Sequence, residues 1–151
     1  MKNNPWLLEL TWWVLTAVIV TIILLPIRLA GIPFHFWQYN LFFIIVSVTF
    51  GRFLFFFHLH PLYKSKIFKI SMIFLVPVLF FPMVEGLHSF IEFNDREGIQ
   101  TLLTHLSNQR QNQFRWFIQR EYLILAIAAF VSSFLMIIKM IRALWKQYYR
   151  E

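Results

Sequence analysis

The chain has 151 residues, of which 59% are hydrophobic and 14% are charged. A water-soluble domain of this length does not bury so much apolar surface, so the composition predicts an integral membrane protein. The absence of cysteine excludes disulfides, thiolate metal sites and thiol nucleophiles. The formal net charge is +7, but the basic residues cluster at the ends of apolar runs. They therefore predict contact with lipid headgroups and give no support for nucleic acid as a partner.

The first apolar run extends from about residue 6 to residue 29 and predicts a membrane-spanning helix. A helix of about 20 residues crosses a hydrocarbon core about 30 Å thick. A cleaved signal peptide is the main alternative. The run is too long for the apolar part of such a peptide, and residues 28–31 lack a clean small-residue cleavage pattern. We therefore expect a retained first helix.

Three further apolar runs predict spans at about 36–59, 67–91 and 117–138. Aromatic residues at the start of the second run suit a headgroup boundary. The fourth run contains small residues that permit close contact between helices, namely Ala126, Ala129, Ser132 and Ser133. The predicted fold is an all-α integral membrane protein, with a single four-helix transmembrane bundle over residues 1–151.

The one sizeable extramembrane segment is predicted at about 94–116, between the third and fourth spans. Apolar residues recur in it at helical spacing, namely Ile99, Leu102, Leu103 and Leu106. Asn94 and Glu97 resemble a capping box at the start of a helix. We expect a short amphipathic helix that lies on the outer membrane surface or caps the bundle. A lid or a docking surface for a partner is the alternative.

The distribution of charge predicts the orientation in the membrane. Eight basic residues, including all six lysines, are expected on one side: Lys2, Lys64, Lys66, Lys69, Lys139, Arg142, Lys146 and Arg150. The other side has five arginines, which are balanced by Glu85, Glu92, Asp95, Glu97 and Glu121. The positive-inside rule then places both termini in the cytoplasm, with the bacterial cytoplasmic (inner) membrane as the expected location.

Arg52 is the first candidate for a functional residue, because a charge near the centre of a bilayer costs several kcal/mol and usually faces protein or water. It lies about eight residues before the cytoplasmic end of the second span, or about 12 Å deep at the helical rise of 1.5 Å per residue. We expect it to face the bundle and to pair with Glu9, near the same end. Binding of an anionic substrate or a lipid headgroup is the alternative.

Glu85 is the second candidate, because it lies a few residues inside the outer end of the third span, close to Pro82. A carboxylate beside interrupted helix geometry is typical of proton or cation pathways. Arg28 follows a proline at a similar outer depth. An ion pair between Arg28 and Glu85 is the simpler expectation.

The five histidines raise the question of a metal or a haem group. His35 and His88 are weak ligand candidates for a haem near the outer surface. His58 and His60 are a poor metal pair, since their rings would point about 200° apart on a helix. Histidine is common at membrane interfaces, so we expect no cofactor and no metal.

No motif of a zinc protease, a P-loop, a serine-hydrolase elbow or a dinucleotide fold occurs in the sequence. The first functional hypothesis is therefore a non-enzymatic accessory or scaffold subunit of a membrane complex. Its partners would be the lipid bilayer and either another membrane protein or a second copy of the chain. The alternative is a small transporter or ion-conducting oligomer that uses Arg52 and Glu85.

Overall fold

The computed structural model describes residues 5–57 and 61–149, and most of these residues are helical. The described residues form four α-helices: α1 (Pro5–Leu29), α2 (Trp37–Phe56), α3 (Lys66–Arg96) and α4 (Asn108–Tyr148). They also form two 3-10 helices, at Pro61–Lys64 and Ile99–Leu103. All four α-helices are long and apolar enough to span a membrane.

The central helix of the bundle is α4, since α2 and α3 both pack mainly on it. One face of α4 carries completely buried residues at intervals of three or four: Ile118, Tyr122, Ala126, Ala129, Ser133, Met136 and Met140. This spacing follows the helical repeat and puts all of them on the side that the other helices cover. The small residues in the middle of the face allow close approach, as the sequence predicts.

The first helix, α1, lies at the edge of the bundle and packs mainly on α2. Thr16 and Ile27 are buried, whereas large apolar residues such as Leu15 and Ile22 are exposed. The apolar surface of α1 is therefore much larger than its contact with the rest of the described chain. Such a surface is unfavourable in water and favourable in lipid or against another protein.

Gly31 ends helix α1. Gly31 has a φ of +67°, a conformation that glycine adopts without strain. The Gly31 N–H donates to the Arg28 carbonyl at 3.0 Å, and the Ile32 N–H donates to the Ile27 carbonyl at 3.2 Å. These two bonds form a Schellman motif, which turns the chain away from the helix axis. The turn brings Ile32 back onto the end of α1, where it is buried.

The third and fourth helices are longer than the predicted spans. Helix α3 continues to Arg96 and α4 begins at Asn108, so much of the segment predicted as an outer loop at 94–116 is helical. The proposed capping box is wrong, because Asn94 lies inside α3 and Glu97 follows its last residue. Hydropathy marks only the apolar part of a helix, whereas these helices continue into polar sequence.

The short amphipathic α-helix expected between α3 and α4 also has a different form. Gly98, with a φ of +75°, donates its N–H to the Phe93 carbonyl at 3.1 Å and so ends α3. A 3-10 helix of five residues, Ile99–Leu103, follows. Its apolar residues Ile99, Leu102 and Leu103 are buried, and the segment packs on α4. Leu106, the fourth residue of the predicted apolar set, is only partly buried. The apolar spacing thus indicates three of the buried residues, although it does not indicate the type of helix.

Contacts between connecting segments fix the two ends of the bundle. At one end, which we call the lysine end, lie Lys64, Lys66, Lys69, Lys139 and Lys146. Here the Gln147 side chain donates to the Lys64 carbonyl at 3.2 Å, which ties α4 to the connection between α2 and α3. At the other end, Nε2 of His105 lies 2.9 Å from the Ala30 carbonyl, so the connection between α3 and α4 contacts the end of α1.

Candidate functional site

Arg52 and Glu9 form an ion pair between α2 and α1 near the lysine end. Nη1 of Arg52 donates to Oε2 of Glu9 at 2.7 Å, and Nη2 contacts Oε1. The Arg52 side chain is 10% exposed and the Glu9 side chain 29%. A bidentate pair of this kind compensates both charges and fixes the relative position of the two helices. The contact expected from the sequence is therefore present, and Arg52 faces the bundle.

Two lysines near the same end also connect helices. Lys69 is buried, and its Nζ donates to Oε1 of Gln147 at 2.6 Å, which joins α3 to α4. Nζ of Lys139 donates to the carbonyl of Leu54 in the last turn of α2. Carbonyls in the last turn of a helix lack partners within the helix, and a cation there also interacts favourably with the helix dipole. The sequence prediction treated both lysines only as residues flanking the spans.

A polar pair formed by Asn40 and Glu121 joins α2 to α4 near the end opposite the lysines. Asn40 is completely buried, and its Nδ2 donates to Oε1 of Glu121. Oδ1 of Asn40 and Oε2 of Glu121 have no hydrogen-bond partner within the described part of the chain. A buried acceptor without a donor costs about 1–3 kcal/mol. The pair is therefore a point at which the polar groups of the bundle are incompletely satisfied.

Tyr122 and Gly86 bring α3 and α4 into close contact beside this pair. The Tyr122 hydroxyl donates to the Gly86 carbonyl at 2.8 Å. The Tyr122 ring stacks on Phe90 with the centroids 4.0 Å apart. A Cβ atom at Gly86 would lie 2.5 Å from Cδ1 of Tyr39, so only glycine fits here without movement of α2 or α3.

Sequence reasoning missed this site because it counted Glu121 among the acidic residues of the outer side. The signal was available in the spacing. Glu121 follows Ile118 by three residues and precedes Leu125 by four. Residues at such intervals lie on the same side of a helix, so Glu121 belongs to the apolar side of α4. Asn40 likewise precedes the buried Phe43 by three residues.

Arg28 and Glu85 do not form the expected ion pair, which corrects the sequence prediction. Both side chains are exposed, and no ion pair within residues 5–57 and 61–149 involves either of them. Arg28 lies on α1, which packs mainly on α2, whereas Glu85 lies on α3, which packs mainly on α4. Two residues at a similar depth in the bundle can thus lie on helices that are not neighbours.

The histidine candidates His35 and His88 are both exposed. Nε2 of His88 lies 4.0 Å from Oε2 of Glu92, one turn further along α3. His35 lies in the turn before α2. The described residues contain no group of three histidine or acidic side chains that could hold a metal ion. His58 and His60 lie outside the described residues.

A groove with a volume of about 430 Å³ lies between α1 and α2 at the end opposite the lysines. We call it the α1–α2 groove. Its lining is apolar apart from Thr21 and Arg28, with Leu24 on α1 and Trp37 on α2 among the apolar residues. The Thr21 hydroxyl donates to the Ala17 carbonyl at 2.8 Å, so its hydrogen bond is formed within α1. The volume lies within the range of about 300–1,000 Å³ that is typical of small-molecule sites.

Over the residues that the structure describes, these features define an all-helical protein with four helices that are each long and apolar enough to span a membrane. No protein-family model, curated protein or solved structure matches the chain.

Proposed function

We propose that the protein spans a bacterial cytoplasmic membrane four times, with both termini in the cytoplasm. The positive-inside rule supports this orientation, because cytoplasmic segments near a membrane carry an excess of lysine and arginine. All six lysines are either at the lysine end or next to the N-terminus. An even number of spans also returns the chain to the side on which it began.

Within this membrane we assign the protein a non-enzymatic role as an accessory or scaffold subunit. One observation carries this assignment: four polar side-chain contacts inside the bundle each join two different helices. The contacts are Arg52 with Glu9, Asn40 with Glu121, Lys69 with Gln147 and Lys139 with the Leu54 carbonyl. Polar groups arranged in this way hold helices in fixed positions and do not form a continuous path between the two ends.

The alternative, a small transporter or ion-conducting oligomer, relies on Arg52 and Glu85. Arg52 lies four residues from the end of α2, and Glu85 lies nineteen residues from the start of α3. With a rise of 1.5 Å per residue, the two are about 20 Å apart along the bundle. Arg52 is bound by Glu9, and neither candidate lines the α1–α2 groove. This arrangement favours the role of an accessory or scaffold subunit over that of a transporter.

The contact face of the subunit is the exposed side of α1. Leu15 and Ile22 are both exposed and lie seven residues apart, which puts them on the same side of the helix. Helix α1 packs mainly on α2, so this side is free of other described elements. The partner is either another membrane helix or α1 of a second copy.

Single-cysteine cross-linking in native membranes tests this proposal, because the chain has no cysteine of its own. Leu15→Cys and Ile22→Cys each introduce a single thiol on the contact face, to which a photoactivatable cross-linking reagent is then attached. Phe74→Cys and Phe81→Cys are matched controls, since these exposed residues are also seven apart and lie on α3. We expect the α1 variants to give a discrete product larger than the 18.3 kDa chain, and the α3 variants to give none.

The size of the product distinguishes a second copy of the chain from a different partner. Products from the α3 variants alone would show that the contact face is wrong. If none of the four positions gave a product, the subunit role itself would be contradicted.

A further inference from the structure

We propose that the α1–α2 groove binds one acyl chain of an anionic phospholipid, and that Arg28 binds the phosphate of its headgroup. The site would lie in the membrane leaflet at the end opposite the lysines. This inference goes beyond the subunit role and does not depend on it, because the groove and the contact face of α1 are formed by different residues.

The interior of the groove suits a hydrocarbon chain. On α1 its lining runs from Val20 to Arg28, a distance of about 12 Å at the helical rise. The hydroxyl of Thr21 is already bound to Ala17 within the helix. Between Val20 and Arg28, α1 therefore offers the groove no free neutral hydrogen-bonding side chain, and contact with an apolar chain is favourable there.

The charge beside the groove favours a lipid over a neighbouring transmembrane helix. Arg28 lines the groove and is exposed, and no carboxylate of the described residues pairs with it. A lipid phosphate compensates this charge, whereas the apolar surface of a helix does not.

Arg28 provides a positive charge at the end of the groove nearest the end of α1. Its side chain is exposed, and no carboxylate of the described residues pairs with it. A guanidinium group presents a planar set of donors that binds phosphate through two parallel hydrogen bonds. Arg28 also lies in the last turn of α1, where any cation interacts favourably with the helix dipole. The dipole alone provides no preference for one lipid over another.

Trp37 indicates the level of the headgroup. It is half-exposed at the edge of the groove and begins α2. Tryptophan is enriched where the hydrocarbon core meets the headgroups. Arg28 and Trp37 therefore mark the polar end of the groove and Val20 its apolar end, which gives a bound amphiphile one orientation.

Titration of the purified full-length protein with lipid, read by native mass spectrometry, tests the site. Both phosphatidylglycerol and phosphatidylcholine carry a phosphate, but the choline group adds a positive charge that repels Arg28. We therefore expect phosphatidylglycerol to bind about tenfold more tightly than phosphatidylcholine with the same acyl chains. Arg28→Gln should reduce this ratio to about one, because it removes the positive charge. Arg110→Gln is the matched control, because it removes an exposed arginine at the same end, on α4. It should leave the ratio unchanged.

Two tryptophan variants test whether the acyl chain occupies the groove. Thr21→Trp places a large ring in the lining, and Val14→Trp places the same ring on an exposed residue of α1 two turns away, outside the groove. Thr21→Trp should weaken binding of both lipids about tenfold or more, and Val14→Trp should not. Millimolar inorganic phosphate should displace neither lipid.

Three results would overturn the proposal: an unchanged lipid ratio in Arg28→Gln, an equal loss in Arg110→Gln, or normal lipid binding in Thr21→Trp. Displacement by inorganic phosphate would instead show a site for a free anion.

Discussion

Replacement of Glu121 by glutamine should stabilise the bundle. Nδ2 of Asn40 now donates to Oε1 of Glu121, while Oδ1 of Asn40 and Oε2 of Glu121 have no partner among the described residues. Glutamine keeps the acceptor Oε1 and replaces Oε2 with an NH₂ group, which has two donors. One of these can donate to Oδ1 of Asn40. The substitution removes one unsatisfied acceptor and gives the other a partner, but leaves one N–H of the new amide without a partner, so the net change is one unsatisfied group fewer.

The magnitude follows from the cost of buried acceptors. Each unsatisfied acceptor costs about 1–3 kcal/mol, so Glu121→Gln should raise the free energy of unfolding by about 1–3 kcal/mol after imperfect geometry is allowed for. Glu121→Leu removes the partner of Asn40 and leaves its whole amide buried, and should lower the free energy of unfolding by a similar amount. The double variant Asn40→Leu with Glu121→Leu should recover most of this loss, since no polar group is then left unpaired.

Reversible unfolding in mixed micelles, followed by the loss of helical circular dichroism, measures these differences. The predicted order of stability is Glu121→Gln, then the native chain, then Glu121→Leu. If Glu121→Gln were as unstable as Glu121→Leu, the carboxylate itself would be required, and the hydrogen-bond explanation of the pair would be refuted.

The same unfolding measurement tests two further contacts. Gly86→Ala should lower the free energy of unfolding by about 1–3 kcal/mol, because its Cβ would lie 2.5 Å from Tyr39. Gly51→Ala should raise it by up to about 1 kcal/mol, because a Cβ there meets nothing within 4 Å and alanine favours a helix. Equal effects of the two alanines would contradict the close approach of α2 and α3. Glu9→Gln should lower the free energy of unfolding by about 1–3 kcal/mol, because it leaves the Arg52 charge poorly compensated. The double variant Glu9→Arg with Arg52→Glu should restore most of this loss. Failure of the exchanged pair to recover stability would mean that the Arg52 contact is not primarily electrostatic.

The sequence predicts the features that depend on strong local signals. The first apolar run, at about 6–29, corresponds closely to α1 at Pro5–Leu29, because a predominantly apolar run of this length is typical of a membrane-spanning helix. The contact of Arg52 with Glu9 is also foreseeable, since a deep arginine needs an acceptor and few carboxylates are near the same end.

Features that depend on which helices are neighbours are not foreseeable in the same way. Arg28 and Glu85 have similar depth, but α1 and α3 pack on different helices, so their charges do not meet. Depth along a helix is encoded in sequence position, whereas the order of helices around a bundle depends on side-chain packing that a hydropathy pattern does not describe. For Glu121, the error was one of position, because a predicted span that began at residue 117 left it near a boundary.

The orientation of the lysine end tests the central claim most directly. Lys66→Cys at that end and Asn108→Cys at the other place single thiols in an otherwise cysteine-free chain, and both residues are exposed. A membrane-impermeant thiol reagent applied to intact cells should label Asn108→Cys, and should label Lys66→Cys only after the membrane is permeabilised. Labelling of Lys66→Cys in intact cells, or protection of Asn108→Cys from the reagent, would contradict a four-span protein with its lysine end in the cytoplasm.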